Sequence, residues 1–171
     1  MSGDHGEATG ERAGILARAR LVVFDVDGVL TDGRVVYSER LEVQAFDVKD
    51  GFGIAQLVRA GVEVAWISGR GFWGTRQRAE ELGVRELHLR AGPKDLVLAG
   101  VQERLGIPPA DTVSMGDDVP DLGLAERSAL FVAPADAHPE VRARAGWVCA
   151  ARGGRGAARE LCDAVLAARG R

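Results

Sequence analysis

The chain has 171 residues, of which 46% are apolar and 27% charged, enough for one domain with a sizeable buried core. Its 22 basic and 25 acidic residues are well mixed and leave a formal charge of -3, which argues against a nucleic-acid-binding surface. No window approaches the ~18 consecutive apolar residues of a membrane span, and the polar start Met1 to Gly14 lacks the apolar stretch of a signal peptide, so a cytoplasmic protein without a membrane partner is expected.

In chain order, residues 1–18 read as a disordered extension and residues 19–171 as a single domain. The first strand is expected at Leu21–Val26 and ends in Asp25-Val26-Asp27-Gly28. Residues i and i+2 of a strand share a face, so both carboxylates can address one site. Next, Arg34–Tyr37 and Val43–Asp47 flank the polar Ser38–Glu42 and suggest a β-hairpin flap. A helix at Phe52–Ala60 then leads to a strand at Val62–Ile67, which delivers Ser68-Gly69-Arg70. A helix at Thr75–Leu82 and a strand at Glu86–Leu89 follow, and Lys94 opens a helix at Asp95–Leu105.

The strand Thr112–Met115 ends in Gly116-Asp117-Asp118, with Asp121 three residues on, before a helix at Val119–Glu126. The strands Ala129–Val132 and Trp147–Cys149 alternate with helices at Pro139–Ala145 and Ala157–Ala168. Gly61, Gly83 and Gly106 each follow a helix, as left-handed caps do. Residues 151–156 contain Arg152-Gly153-Gly154-Arg155-Gly156 and read as a flexible tail segment. Cys149 and Cys162 lie in apolar segments and read as buried free thiols.

Strands alternating with helices predict an α/β fold, a doubly wound parallel sheet. In such sheets the ligand lies at the carboxyl ends of the strands, where Asp25, Asp27, Ser68, Lys94, Asp117, Asp118 and Asp121 fall. Clustered carboxylates repel unless a divalent cation neutralises them, and hard oxygen ligands suit Mg2+. With phosphate added, one carboxylate can attack phosphorus while Lys94 and Ser68 stabilise its oxygens, and Asp27 can protonate the leaving group and then deprotonate water. Only Lys49 and Lys94 are lysines in this arginine-rich chain, which marks Lys94 as a site where a compact charge is needed. The EF-hand reading fails, because Val29 and Leu30 stand where that loop needs an oxygen ligand and a glycine.

These motifs, Asp25-Val26-Asp27-Gly28-Val29-Leu30-Thr31-Asp32-Gly33, Ser68-Gly69-Arg70, Lys94 and Gly116-Asp117-Asp118, resemble the four motifs of the haloacid dehalogenase superfamily. Phe46-Asp47-Val48-Lys49-Asp50-Gly51-Phe52-Gly53-Ile54, Ala135-Asp136-Ala137-His138-Pro139 and Gly153-Gly154-Arg155-Gly156 further resemble its 3-deoxy-D-manno-octulosonate 8-phosphate phosphatase family. That resemblance implies a Rossmann-like haloacid dehalogenase fold with a flap and no cap domain, and a role in lipopolysaccharide biosynthesis. It implies Asp25 as nucleophile and Asp27 as acid/base, with Ser68 and Lys94 on the phosphate. Mg2+ would be held by Asp25, the Asp27 carbonyl and Asp117, with Asp118 in support.

Resemblance also implies a homotetramer whose neighbouring subunits complete each site. Gly69, Arg70, Arg78 and Arg155 are the expected substrate contacts, with Arg70 and Arg78 placed for a sugar carboxylate and Arg155 delivered by a moving tail. Arg70 favours the octulosonate over a nonulosonate (sialic acid type) 9-phosphate, whose phosphatases tend to carry glutamate there. A phosphate-accepting interaction module, partnering a sugar-nucleotide synthetase, is the other reading, and Asp27 two residues past the acceptor favours turnover over it.

Overall fold

The computed structural model describes residues 4–37 and 42–170. The strands β1 (Leu21–Phe24), β4 (Glu63–Ser68), β5 (Glu86–Leu89), β6 (Thr112–Met115), β7 (Leu130–Ala133) and β8 (Trp147–Val148) form one parallel sheet. Their order is β5-β4-β1-β6-β7-β8, so the chain winds outward in both directions from β1. Short antiparallel strands β2 (Val36–Tyr37) and β3 (Glu42–Val43) form the expected flap, whose tip at residues 38–41 lies outside the described residues.

Strand alternation divides the core into two layers. Val22 and Phe24 of β1, with Val64, Trp66, Val113, Met115 and Val132, face α1 (Asp4–Arg18), α2 (Val48–Arg59), α3 (Trp73–Leu82) and α7 (Ala157–Ala168). Leu21, Val23, Ala65, Ile67, Phe131 and Ala133 face α4 (Lys94–Leu105), α5 (Leu122–Ala125) and α6 (Pro139–Arg144). Buried on both faces, β1 and β7 are continuously apolar rather than alternating. Full burial of a side chain such as Leu161 or Val165 on α7 contributes about 2 kcal/mol. Between Asp25 and Ser68 stand only the flap and α2, and between Lys94 and Asp117 only α4, a 3-10 turn and β6, so neither crossover carries a cap domain.

Two expectations require correction. Residues 4–18 are not an extension beside the domain but helix α1, whose Ile15 and Leu16 join the core beside α7. The polar composition of its first two turns hid the apolar pair at its end. Helix α2 begins at Val48, four residues earlier than expected, because Asp47 caps it by accepting from Lys49 N at 2.7 Å. Its glycines look like helix breakers in sequence, yet a Cβ on Gly51 would meet Arg78 Nη2 at 2.0 Å, and one on Gly53 the Cys162 Cβ at 2.9 Å. Those glycines let α3 and α7 pack closely on α2. Gly61, Gly83 and Gly106 adopt left-handed φ values of 76°, 77° and 62°, as their positions after helices require.

Leu16→Ala is expected to lower stability by about 2 kcal/mol in urea unfolding, the lower end for a buried leucine. Wild-type stability in that variant would mean that α1 is not part of the domain.

Candidate active site

The sheet gathers the charged residues at its carboxyl edge. Asp25 follows β1 directly, and its N–H continues the ladder by donating to Met115 O of β6 at 3.0 Å. Lys94 opens α4, where a cation opposes the helix macrodipole. Its placement is offset by two carboxylates: Nζ lies 2.5 Å from Asp25 Oδ1 and also contacts Asp121 Oδ1. All three side chains are buried. Burial alone would push the Lys94 ammonium down, but Asp25 and Asp121 outweigh it and hold its pKa above the usual lysine value.

One oxygen each of Asp25, Asp117 and Asp121 lie within 4.8 Å of one another. Against them stands a single buried ammonium, so ionised carboxylates outnumber it. Burial, followed by Asp121, raises the Asp25 carboxyl well above its usual range. Burial, then Asp121 and Asp118, push Asp117 up to about 7. Asp117 Oδ1 is buried and has no hydrogen-bond partner, although most such atoms have one. An unpartnered acceptor in a carboxylate cluster fits a hard divalent cation, with Asp25 and Asp117 as ligands and Asp121 alongside.

Here the structure corrects the assignment of Asp118. A 3-10 turn at Val119–Asp121 exposes Asp118, whose Oδ1 accepts from Val119 N at 2.8 Å as a cap. Asp121 is turned inward instead, and its Oδ2 accepts from Asp117 N at 2.9 Å and Asp118 N at 3.2 Å. Gly116 allows this return, since a Cβ there would meet Asp121 Cβ at 2.3 Å. Asp121 stood in the sequence beside the pair Asp117-Asp118, but only the turn geometry reveals which of them points into the cluster.

Asp27 lies at the rim. Its Oδ2 accepts from Ser68 Oγ at 3.2 Å, and its Oδ1 accepts from Gln44 Nε2 at 3.1 Å with Arg70 Nε 3.9 Å away. Ser68 Oγ in turn accepts from Arg70 N at 3.0 Å. Gly69, exposed between them, has open space where a Cβ would project.

Arg78 does not join this group. It lies against Gly51 of α2, and its Nη1 is 2.8 Å from Glu81, an i,i+3 pair on its own helix. Nearer the site is Arg90, which the sequence reading passed over. It is the one non-glycine with a left-handed φ, 54°, among the described residues. Its N–H donates to Arg70 O at 3.1 Å and its side chain lies along Gly71.

The segment 151–156, expected to be flexible, is instead fastened along its length. Gly153 N donates to Asp136 Oδ1, Gly154 N to Val29 O, and Gly156 N to Asp50 Oδ2. Asp50 Oδ1 also accepts from Arg159 N at 2.7 Å, tying α2 to the start of α7. A Cβ on Gly153 would stand 1.7 Å from Gly28 O, and one on Gly154 2.3 Å from Thr31 C. The glycines allow two backbones to touch and are not a hinge. Gly28 itself, at φ 95°, leaves room for Asp117 Oδ2, which would lie 2.1 Å from a Cβ there. Arg155, two-thirds exposed, reaches its own chain's Asp32 at 3.6 Å, a contact that contributes little by itself.

No family profile matches the chain. It is 39% identical over 163 residues to the 3-deoxy-D-manno-octulosonate 8-phosphate phosphatase of Escherichia coli K12, spanning 93% of this chain and 87% of that enzyme. The crystal structure of the Moraxella catarrhalis phosphatase of the same name, in complex with magnesium, phosphate and KDO, superposes with a TM-score of 0.92. Identity there is 31%, over 94% of this chain and 93% of the other. The Yersinia pestis phosphatase superposes equally well, with a TM-score of 0.92 at 35% identity, over 94% and 87% of the two chains.

Two outcomes are expected. A raised carboxyl pKa favours the metal-free fold below the unfolded value of 3.8 and ceases to do so as pH rises through about 7. Mg2+ competes with that proton. Its elevation of Tm should therefore be small near pH 5, grow through pH 7, and vanish in Asp117→Asn; an equal Mg2+ effect at both ends of this range would remove Asp117 from the metal site. Gly153→Ala should lose activity and lower Tm, because the added methyl must push the 151–156 segment off the Asp27–Gly33 loop. Wild-type kinetics in that variant would show that the contact between the two loops is dispensable.

Proposed function

The chain belongs to the 3-deoxy-D-manno-octulosonate 8-phosphate phosphatase family of the haloacid dehalogenase superfamily, and from that membership we propose that it hydrolyses this sugar phosphate through a phosphoaspartate at Asp25. The observation that carries the reading is the buried Asp25–Lys94–Asp121 contact beside the unpartnered Asp117 oxygen. Mg2+, when bound by Asp25, the Asp27 carbonyl and Asp117, supplies positive charge that offsets the phosphate and keeps the carboxylates ionised.

Lys94 fixes Asp25 Oδ1, leaving Oδ2 as the attacking atom. A bond forms from this oxygen to phosphorus while the bond to the sugar oxygen breaks, and Asp27 donates its proton to the departing alkoxide. Asp27 then takes a proton from water as the water oxygen attacks phosphorus, and the electron pair of the Asp25–phosphorus bond returns to the carboxylate. Ser68 and Lys94 stabilise the phosphoryl oxygens during both steps. Gly69 presents only backbone to the ligand.

At the rim, Arg70 and the neighbouring Arg90 favour the sugar carboxylate, a role that Arg78 does not support. Arg70, where nonulosonate 9-phosphate phosphatases tend to carry glutamate, supports the octulosonate over that substrate. Lacking a cap, the enzyme has an open active site, which favours a cytoplasmic homotetramer in which neighbouring flaps and Arg155 complete the enclosure. No helix among the described residues is long and apolar enough to cross a membrane.

Phosphate release from 3-deoxy-D-manno-octulosonate 8-phosphate with Mg2+ should exceed that from hexose phosphates in kcat/KM. Asp25→Asn, nearly isosteric, should fold normally and abolish it. Retention of more than about a thousandth of wild-type kcat, a barrier change of only about 4 kcal/mol, would reject Asp25 as the nucleophile. Equal kcat/KM on both substrate classes would reject the carboxylate-sugar assignment.

A further inference from the structure

One side chain joins the flap to the proposed acid/base. Gln44 follows β3 directly, and its two polar ends are divided between two elements. Nε2 donates to Asp27 Oδ1 at 3.1 Å, and Oε1 accepts from the Thr75 hydroxyl at 2.6 Å. Thr75 is buried in the first turn of α3, so the brace is anchored on packed structure. The orientation of the amide follows from donor and acceptor chemistry. Asp27 Oδ1 is an acceptor, so the NH2 end faces it, and the carbonyl end then takes the donor that Thr75 supplies.

The other oxygen of Asp27, Oδ2, accepts from Ser68 Oγ, which is fixed in turn by Arg70 N. Without ligand, one donor on each oxygen, from different elements, holds the carboxylate plane; when a phosphate draws the single Ser68 hydroxyl proton, Gln44 is the donor that stays on Asp27. Among the described strands β2 and β3 pair only with each other, and Gln44, directly after β3, joins the flap to the acid/base.

We propose that Gln44, braced by Thr75, is the positioning residue for Asp27 and makes the flap part of the proton-transfer machinery. The proposal rests on the reading of Asp27 as acid/base. Gln44 need not touch the reacting atoms, and its effect passes through Asp27. Proton donation requires the carboxyl within hydrogen-bond reach of the leaving oxygen, so a carboxyl free to rotate loses rate without losing substrate affinity.

Leaving-group dependence tests this directly. A sugar alkoxide needs a proton as it departs, whereas p-nitrophenolate leaves without one, and kcat/KM reports only the steps up to transfer of the phosphoryl group. Gln44→Met, similar in length but unable to hydrogen-bond, should lower kcat/KM on the sugar phosphate about tenfold and on p-nitrophenyl phosphate by about twofold or less. Gln44→Glu, which retains an acceptor for Thr75 but sets a carboxylate against Asp27, should lose more on the sugar phosphate and keep the same contrast. Thr75→Val should act in the same direction and more weakly, and the double variant Gln44→Met with Thr75→Val should be no slower than Gln44→Met alone. Equal losses on both substrates, or additive losses in the double variant, would overturn the proposal and leave Gln44 a packing residue. Asp27→Asn in the same assay separates the premise: without leaving-group contrast there, the acid/base reading of Asp27 is itself wrong.

Discussion

The ammonium of Lys94, buried between Asp25 and Asp121, is the interaction on which the rest of the site depends. Removing the ammonium would leave both carboxylates buried without their cation, at a cost of about 3–5 kcal/mol, whereas neutralising one carboxylate leaves Lys94 still paired with the other. The three groups come from three separate elements: the end of β1, the start of α4 and the turn after β6. The sheet order makes their meeting possible, since β1 lies between β4 and β6 and the chain reverses its winding there. With Asp117 added, carboxylates exceed the single ammonium; burial first, and then this surplus, raises the Asp25 and Asp117 carboxyls, and one Asp117 oxygen is left unpartnered. A site held in this imbalance is prepared for a cation.

Backbone contact is the second constraint, and glycine is its instrument. The Asp27–Gly33 loop is pressed from one side by Asp117 at Gly28 and from the other by Gly153 and Gly154. Any Cβ at these positions would overlap backbone or carboxylate atoms, so the loop's shape is set by neighbours far away in sequence. Asp136 holds Gly153, while the His138 N–H donates to Asp117 O at 2.7 Å, so Ala135–Pro139 braces both sides of the loop. Asp50 performs the same service for Gly156 and α7. Polar residues that carry no chemistry thereby fix those that do.

Much of this was legible in the sequence because it follows from local rules. Apolar runs alternating with segments of helical period pointed to six parallel strands, and Asp25, Ser68 and Asp117 could be recognised as strand-end residues before any contact was known. What escaped depended on geometry that spacing does not encode. Asp118 and Asp121 both follow β6 and carry the same side chain, and only the 3-10 turn at Val119–Asp121 turns the second inward. Arg78 has a helical phase compatible with the site, but its neighbour Glu81 and the bare Gly51 surface hold it elsewhere. The glycines at 153 and 154 have one composition and two physical meanings, mobility or close approach, which only the opposing backbone distinguishes. Helix α1 was missed because, among its described side chains, only Ile15 and Leu16 are buried, too short an apolar signal to set against a polar start.

The division of cations between lysine and arginine follows from where each charge must sit. At the buried centre a compact ammonium can contact two carboxylates at once, and Lys94 is the one basic residue buried there. The margin is arginine: Arg70 beside Asp27, Arg90 along Gly71, Arg155 beside Asp32. A guanidinium is planar and able to grip a carboxylate with two parallel bonds, so it suits a rim that must take hold of an incoming carboxylate. The backbone strain of Arg90 is consistent with this arrangement, because a left-handed φ at a non-glycine persists only where surrounding structure holds it. An acidic centre for a metal and phosphate, ringed by guanidinium groups, selects a ligand with negative charge at both ends, and a phosphorylated sugar acid has that distribution.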